Sequence, residues 1–278
     1  MTTSGLAAGV GLSGTGLHIG YHGTPVVADA AIQLRRGEVT ALVGPNGSGK
    51  STLLRALARL HRPTAGDITF GDGTDAYHLS AKDFARRVTL LAQSRPTPSG
   101  VTVYDVVGYG RYPYRSRWRN DDPDGARAIS WAMEVTGVAS MAHRPVDELS
   151  GGERQRVWLA TCLAQDTGVL LLDEPTTFLD LRYQVEILDL IRDLADDHDV
   201  AIGVVLHDLN QAAEVADHVV LLHHGRVRAS GTPEQVLTTE NLTETYGIRV
   251  DVLIDPETNR LTTRPVGRHH ARLRTPTG

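Results

Sequence analysis

Gly44, Pro45, Asn46, Gly47, Ser48, Gly49, Lys50 and Ser51 spell G-x-x-x-x-G-K-S, and Thr52 follows. Glycines at these spacings let backbone N–H groups turn inward around an anion, where side chains would block them. A helix beginning at the end of the loop adds free N–H donors and the positive end of its dipole. In this pattern Lys50 reaches the β- and γ-phosphates, Ser51 offers its hydroxyl to Mg²⁺, and Thr52 adds a phosphate contact. Lysine occurs only at positions 50 and 82, so its arrival at the required position by chance is improbable. The chemistry predicted is binding of a nucleoside triphosphate.

Two further groups carry reactive types. Val169 to Leu172 is an apolar run that ends in Asp173-Glu174-Pro175. An aspartate there can hold Mg²⁺ through water, and the adjacent glutamate can take a proton from an attacking water. Two carboxylates after a core strand are seldom only structural, because their burial is costly. Ser150-Gly151-Gly152-Glu153 reads as a capping box opening a helix. Two glycines inside its start weaken the helix but leave backbone N–H groups open, a second anion site. Gln93 closes one apolar run and can contact Mg²⁺ or position a water, or simply satisfy a backbone group. His207 closes another and can donate to a γ-phosphate, or be a core histidine. Tyr21 offers a face to an adenine ring, or packs as a strand residue.

These residues need strands and helices to hold them. Val39 to Val43 reads as a buried strand before the loop, and Leu53, Leu54, Leu57 and Leu60 as a helix after it. Leu17 to Gln33 has an antiparallel pattern, 62–79 is hairpin-like, and 101–148 is mostly helical. Leu181, Val185, Leu188 and Ile191 are predicted to share one helix face. Residues 217–231 read as a hairpin and 240–255 as a further small element. Tyr112 to Arg119 interleaves aromatic and basic residues, a surface for RNA or for a protein partner. The tail carries Arg260, Arg264, Arg268, Arg272 and Arg274, and reads as a solvated extension. Its pair His269-His270 lacks the second half of a metal ligand set.

The 278 residues suffice for one large domain or two subdomains, with 41% hydrophobic and 22% charged residues, as in soluble globular proteins. A formal net charge of −5 argues against a nucleic-acid surface over much of the protein. The single cysteine, Cys162, allows no intrachain disulfide and reads as a small buried hydrophobe. No apolar run approaches the roughly 18–20 residues of a membrane span. The first sixteen residues lack the basic and apolar regions of a signal peptide.

In order, Gly44 to Ser51, Gln93, Leu149 to Glu153, Leu170 to Glu174, Asp180 and His207 resemble the Walker A, Q-loop, signature, Walker B, D-loop and H-loop of an ABC-transporter ATPase. Tyr21 looks like the family's A-loop residue under adenine. Pro175 to Asp180, His207 to Ala212 and Val101 to Pro113 are similar to ATP-binding subunits of ferric-siderophore importers, with haem and cobalamin importers close by. Phe178 departs from the serine common in the wider family's D-loop and supports the subgroup.

The resemblance implies an α/β fold: a P-loop NTPase core with a mainly parallel sheet, an N-terminal antiparallel β subdomain and an inserted α-helical subdomain. Its boundaries would be a tail over 1–14, the ATPase domain over 15–248 with the helical part at about 96–163, and an extension over 249–278. It implies ATP and Mg²⁺ as ligands, with Glu174 as general base, Ser51, Gln93 and Asp173 around the metal, and His207 at the γ-phosphate. Each ATP would lie between Lys50 of one subunit and Ser150, Gly151 and Gly152 of another, in a head-to-tail homodimer. The partners implied are integral-membrane permeases, docking through 93–118, and indirectly a substrate-binding protein. The place implied is the cytoplasmic face of the membrane, as a peripheral subunit. A haem or cobalamin importer ATPase, or a soluble ABC ATPase without a transport role, is the alternative; a simple P-loop kinase leaves 149–153 unexplained.

Overall fold

The computed structural model describes residues 9–93, 95–115, 122–258 and 260–267. β1 (Val10–Tyr21) and β2 (Thr24–Arg35) form a hairpin; His22 and Gly23 at its turn have φ of 49° and 82°, the paired positive values of a type I′ turn. β3 (Val39–Val43) leads to α1 (Lys50–Leu57), followed by β4 (Ala65–Phe70), α2 (Ala81–Ala85) and β5 (Val88–Leu91). Three helices come next, α3 (Val103–Gly108), α4 (Gly125–Val135) and α5 (Gly151–Ala164). β6 (Val169–Asp173), α6 (Leu181–Asp196), β7 (Ala201–Val205), α7 (Leu209–Val215), β8 (His218–His223) and β9 (Arg226–Gly231) complete the core. The chain then runs through α8 (Pro233–Val236), α9 (Thr239–Tyr246), β10 (Val250–Ile254) and β11 (Leu261–Pro265).

The main sheet has the order β5-β6-β7-β3-β8-β9, parallel except for β9. A smaller antiparallel sheet has the order β2-β1-β4. Every residue of β3, β6 and β7 is buried, as a parallel sheet covered on both faces requires. The period of two along each strand divides these residues between two cores. Val39, Ala41, Leu170, Leu172, Ile202 and Val204 face the core shared with α3 to α7. Leu42, Leu171 and Val205 face the other, filled by Leu53, Leu54 and Leu57 of α1 and by Leu12, Leu17 and Ile68 of the small sheet. The parallel core, the antiparallel subdomain and the helical segment between β5 and β6 match the fold expected from the sequence.

Some local expectations are redrawn. β1 begins at Val10, inside the segment read as a tail, because Leu12 and Leu17 are needed to close the second core. On α6 Leu188 and Ile191 are buried, but Leu181 and Val185 are 78% and 49% exposed. The helix leaves the core at its N-terminal turns, so one apolar stripe serves two environments. The β10–β11 hairpin occupies 250–265, and Asn210 on α7 binds it: the Asn210 carbonyl accepts from the Thr263 N–H at 2.7 Å and the Thr263 hydroxyl at 3.0 Å. Arg268, His269, His270, Arg272 and Arg274 lie outside the described residues, as do 116–121, which include the end of the aromatic-basic run.

Candidate functional site

The loop after β3 is shaped by its glycines. Gly44, Gly47 and Gly49 have φ of 141°, 77° and 103°, and a Cβ on Gly44 would meet the Leu222 carbonyl oxygen at 2.2 Å. Lys50, at the start of α1, is 5% exposed and donates through Nζ to the carbonyls of Gly44 at 2.8 Å and Pro45 at 3.0 Å. Burial pushes its ammonium pKa down, against the opposing pull of the Glu174 and Asp173 carboxylates. Ser48 Oγ is buried and has no hydrogen-bond partner among the described residues. An anion in the loop would replace the lysine's two neutral carbonyl acceptors with charged oxygens, turning each contact into an ion pair.

The adjacent carboxylates of β6 split between two environments. Asp173 is fully buried on its side chain; it accepts from the Ser51 hydroxyl at 2.7 Å and pairs with Arg55 at 3.4 Å. Ser51 and Asp173 therefore present hard oxygen ligands side by side, which suits Mg²⁺. Glu174 sits just beyond the strand at φ 56°, in the left-handed region that side chains seldom adopt. Three groups hold its carboxylate: His207 Nε2 at 2.6 Å, Gln93 Nε2 at 2.5 Å and the Thr177 hydroxyl at 3.2 Å. β5, β6 and β7 are neighbours in the sheet, so their C-terminal ends deliver Gln93, Glu174 and His207 to one place.

Ser150 caps α5, with its hydroxyl accepting from the Glu153 N–H and the Glu153 carboxylate accepting from the Ser150 N–H at 2.8 Å. Those bonds hold the Glu153 carboxyl below its ordinary value. Gly151 has open space where a Cβ would stand, whereas a Cβ on Gly152 would lie 2.5 Å from the Tyr183 ring. Asp180 caps α6 by accepting from the Tyr183 N–H at 3.2 Å. Among the described residues, no hydrogen bond or ion pair joins 150–153 to 44–52.

The structure thus brings Ser51 to Asp173, and Gln93 and His207 to Glu174. It sets the Gln93 amide against Glu174 rather than beside Ser51 and Asp173. Tyr21, 39% exposed, rests its ring on His61 with centroids 4.3 Å apart. Four residues at the site were given no role by the sequence. Arg55 lies one helical turn beyond Ser51, a spacing that marks a shared face. Thr177 is near Glu174 in the chain but carries no motif of its own. Gln211 joins the loop to its neighbours, accepting from the Thr176 hydroxyl at 3.0 Å and donating to the Gln184 carbonyl at 2.9 Å. Tyr246, the fourth, comes from the far end of the chain to line a cavity beside Pro45 to Ser48.

Comparison with known proteins gives this arrangement a context. Residues 27–177 match the family described as ABC transporter. The ferric enterobactin transport ATP-binding protein of Escherichia coli (strain K12) is 42% identical over 260 residues, covering 92% of this chain and 94% of that one. The iron(3+)-hydroxamate import ATP-binding protein of Bacillus subtilis (strain 168) is 43% identical over 249 residues, covering 90% and 92%. Among solved structures, one described as an inward-facing metal-chelate type ABC transporter superposes with a TM-score of 0.80 at 27% identity, covering 93% of this chain and 98% of that one. With its phosphate loop, paired carboxylates and capped Ser-Gly-Gly helix in that family's order, the chain belongs to the ATP-hydrolysing subunits of ABC transporters.

Proposed function

We propose that this chain hydrolyses ATP to power import of a ferric siderophore through partner permeases. The cargo class rests on the relatives: similar proteins of Escherichia coli and Bacillus subtilis are named for ferric enterobactin and iron(3+)-hydroxamate. The chemistry rests on one observation: Glu174 is gripped by His207 and Gln93 at the end of the strand whose Asp173 meets Ser51.

The roles follow from that geometry. Lys50 exchanges the Gly44 and Pro45 carbonyls for β- and γ-phosphate oxygens, while the N–H groups of 46–52 surround the phosphates. Ser51 and Asp173 would hold Mg²⁺, with Gln93 able to join them when its bond to Glu174 opens. The metal supplies positive charge to the phosphate oxygens. Glu174 takes the proton of the attacking water, and His207 Nε2 keeps its carboxylate oriented until it donates to the γ-phosphate. Tyr21 offers the exposed part of its ring to adenine. Ser150, Gly151, Gly152 and Asp180 serve the nucleotide of a second copy, paired head to tail.

Among the described residues no helix is long and apolar enough to cross a membrane. Like the import ATP-binding proteins it resembles, the chain would reach the permeases from the cytoplasmic face. A groove of about 470 Å³ between α1, α2 and the helical segment supplies the docking surface. Leu60, Phe84, Leu90 and Tyr109 line it with largely apolar walls, and Cys162 lies at its base. It adjoins the exposed Tyr112 of the aromatic-basic run, and its occupant would be a cytoplasmic helix of the permease.

Reconstitution of the chain with its permeases in vesicles tests the reading. ATP-dependent uptake of ferric enterobactin or a ferric hydroxamate is expected, with no uptake of haem or cobalamin. Copurification with soluble partners alone would overturn the transport role.

A further inference from the structure

Residues 175–180 join Glu174 to α6, and the turn is left-handed at Glu174 and again at Phe178, with φ of 56° and 63°. Non-glycine residues hold such conformations only where their surroundings fix them. Three glutamines from three helices hold this loop. Gln155 of α5 donates to the Pro175 carbonyl at 3.0 Å, and Gln184 of α6 donates to the Leu179 carbonyl at 2.9 Å. Gln211 of α7 stands between them. Its amide oxygen accepts from the Thr176 hydroxyl at 3.0 Å, and its nitrogen donates to the Gln184 oxygen at 2.9 Å.

The direction of these bonds is set from one end. A backbone carbonyl only accepts, so the Gln184 nitrogen faces Leu179 and its oxygen faces Gln211. Gln211 must answer with its nitrogen, which turns its own oxygen to Thr176. The neighbouring threonines then divide the work: Thr176, buried, is held by Gln211, while Thr177 donates to the Glu174 carboxylate at 3.2 Å. α7 begins just beyond His207, with Asp208 as its cap, and is pinned separately through Asn210 to Thr263 of β11. Gln211 therefore ties the loop that follows Glu174 to the helix that follows His207. We infer that Gln211 is a positioning residue for hydrolysis, setting how the Glu174 carboxylate meets His207 Nε2 across their 2.6 Å contact. The inference rests on reading Glu174 as the general base, and Gln211 acts through Glu174 and His207.

The test is steady-state hydrolysis by the full chain and its variants, with MgATP binding by calorimetry. Gln211→Met keeps the length of the side chain and removes both bonds. Its kcat should fall about 3- to 10-fold, the scale of one hydrogen bond, with KM and ATP affinity close to wild type. Gln211→Glu keeps an acceptor for Thr176 but sets a second oxygen against that of Gln184, and should lower kcat in the same way. Adding Gln184→Lys to Gln211→Glu restores a donor for both the new carboxylate and the Leu179 carbonyl. That double variant should recover kcat to within about 2-fold of wild type, the coupling expected of groups in contact. Glu174→Gln serves as the reference. If Glu174→Gln slows turnover while both Gln211 variants match wild type, the positioning role is overturned and the base assignment stands. A loss of kcat that comes with an equal loss of ATP affinity, and that Gln184→Lys does not reverse, also overturns it, since Gln211 would then serve only the fold. If Glu174→Gln itself turns over normally, the base assignment is wrong.

Discussion

Glu174 and Asp173 are adjacent in sequence yet differ in every contact. Asp173 ends β6 fully buried, against Ser51 and Arg55. Glu174, turned by its positive φ, meets Gln93, Thr177 and His207. That turn separates a ligand-holding carboxylate from a proton-accepting one. Glu174→Gln should therefore retain ATP binding while turnover falls by about 10² to 10⁴. Steady-state phosphate release checks this, and near-normal turnover would assign the proton transfer elsewhere. The identities of Lys50, Ser51, Asp173 and Glu174 were legible because each lies in a short motif whose spacing has a local cause. The bond from Gln93 to Glu174 was not legible, since it depends on β5 and β6 lying side by side; the sequence offered Gln93 as a residue to contact Mg²⁺, to position a water or to satisfy a backbone group. The contact of Tyr21 with His61 was hidden for the same reason.

The helix α5 shows how one element serves both fold and site. Its capping box could be read directly, because Ser150 and Glu153 meet within one turn. The different duties of its two glycines could not, since only the packing of Tyr183 distinguishes them. Gly152→Ala would press a methyl against that ring, costing about 1–3 kcal/mol. Differential scanning calorimetry should show a Tm lower by about 2–4 °C per kcal/mol. Gly151→Ala meets nothing in this chain, so Tm should be unchanged while hydrolysis is lost, the result expected if Gly151 faces another subunit's nucleotide. Near the helical segment, Arg111 is almost wholly buried on its side chain, makes two bonds to Asp122 at 2.8 and 2.7 Å, and gives a third to the Ala164 carbonyl at 2.9 Å. The bond from Arg111 holds the Asp122 carboxyl below its ordinary value. The stability it contributes is complete above the unfolded carboxyl pKa of about 4 and is lost as pH falls through the lower folded value. Asp122→Ala leaves Arg111 buried without its partner and should cost about 3–5 kcal/mol in chemical denaturation. On α6 the expected single apolar face is divided, because periodicity identifies an apolar stripe but not what covers each turn of it.

At the scale of the whole molecule, no hydrogen bond or ion pair among the described residues joins the phosphate loop to the Ser150 helix start, and the proposed site is completed between two copies. This has a sharp consequence for mixtures. A Lys50→Ala chain paired with a Gly151→Ala chain assembles one intact site from the remaining good halves, although neither variant alone has one. Coexpressed and purified as the mixed pair, they should hydrolyse ATP where each homodimer does not; a silent mixture would place the whole site within one subunit. The order of motifs along the chain made this division readable, but the approach of α9 to the loop, across the cavity lined by Pro45 to Ser48 and Glu244 to Gly247, required the folded C-terminal part. The groove proposed for the permease adds an experimental handle. Cys162 lies at its base, 3% exposed, and the sequence contains no other cysteine. Any thiol-specific probe therefore reports from one point between the core and the helical segment. Its labelling rate reports how far the base of that groove is open to solvent, in the native sequence and without an engineered residue.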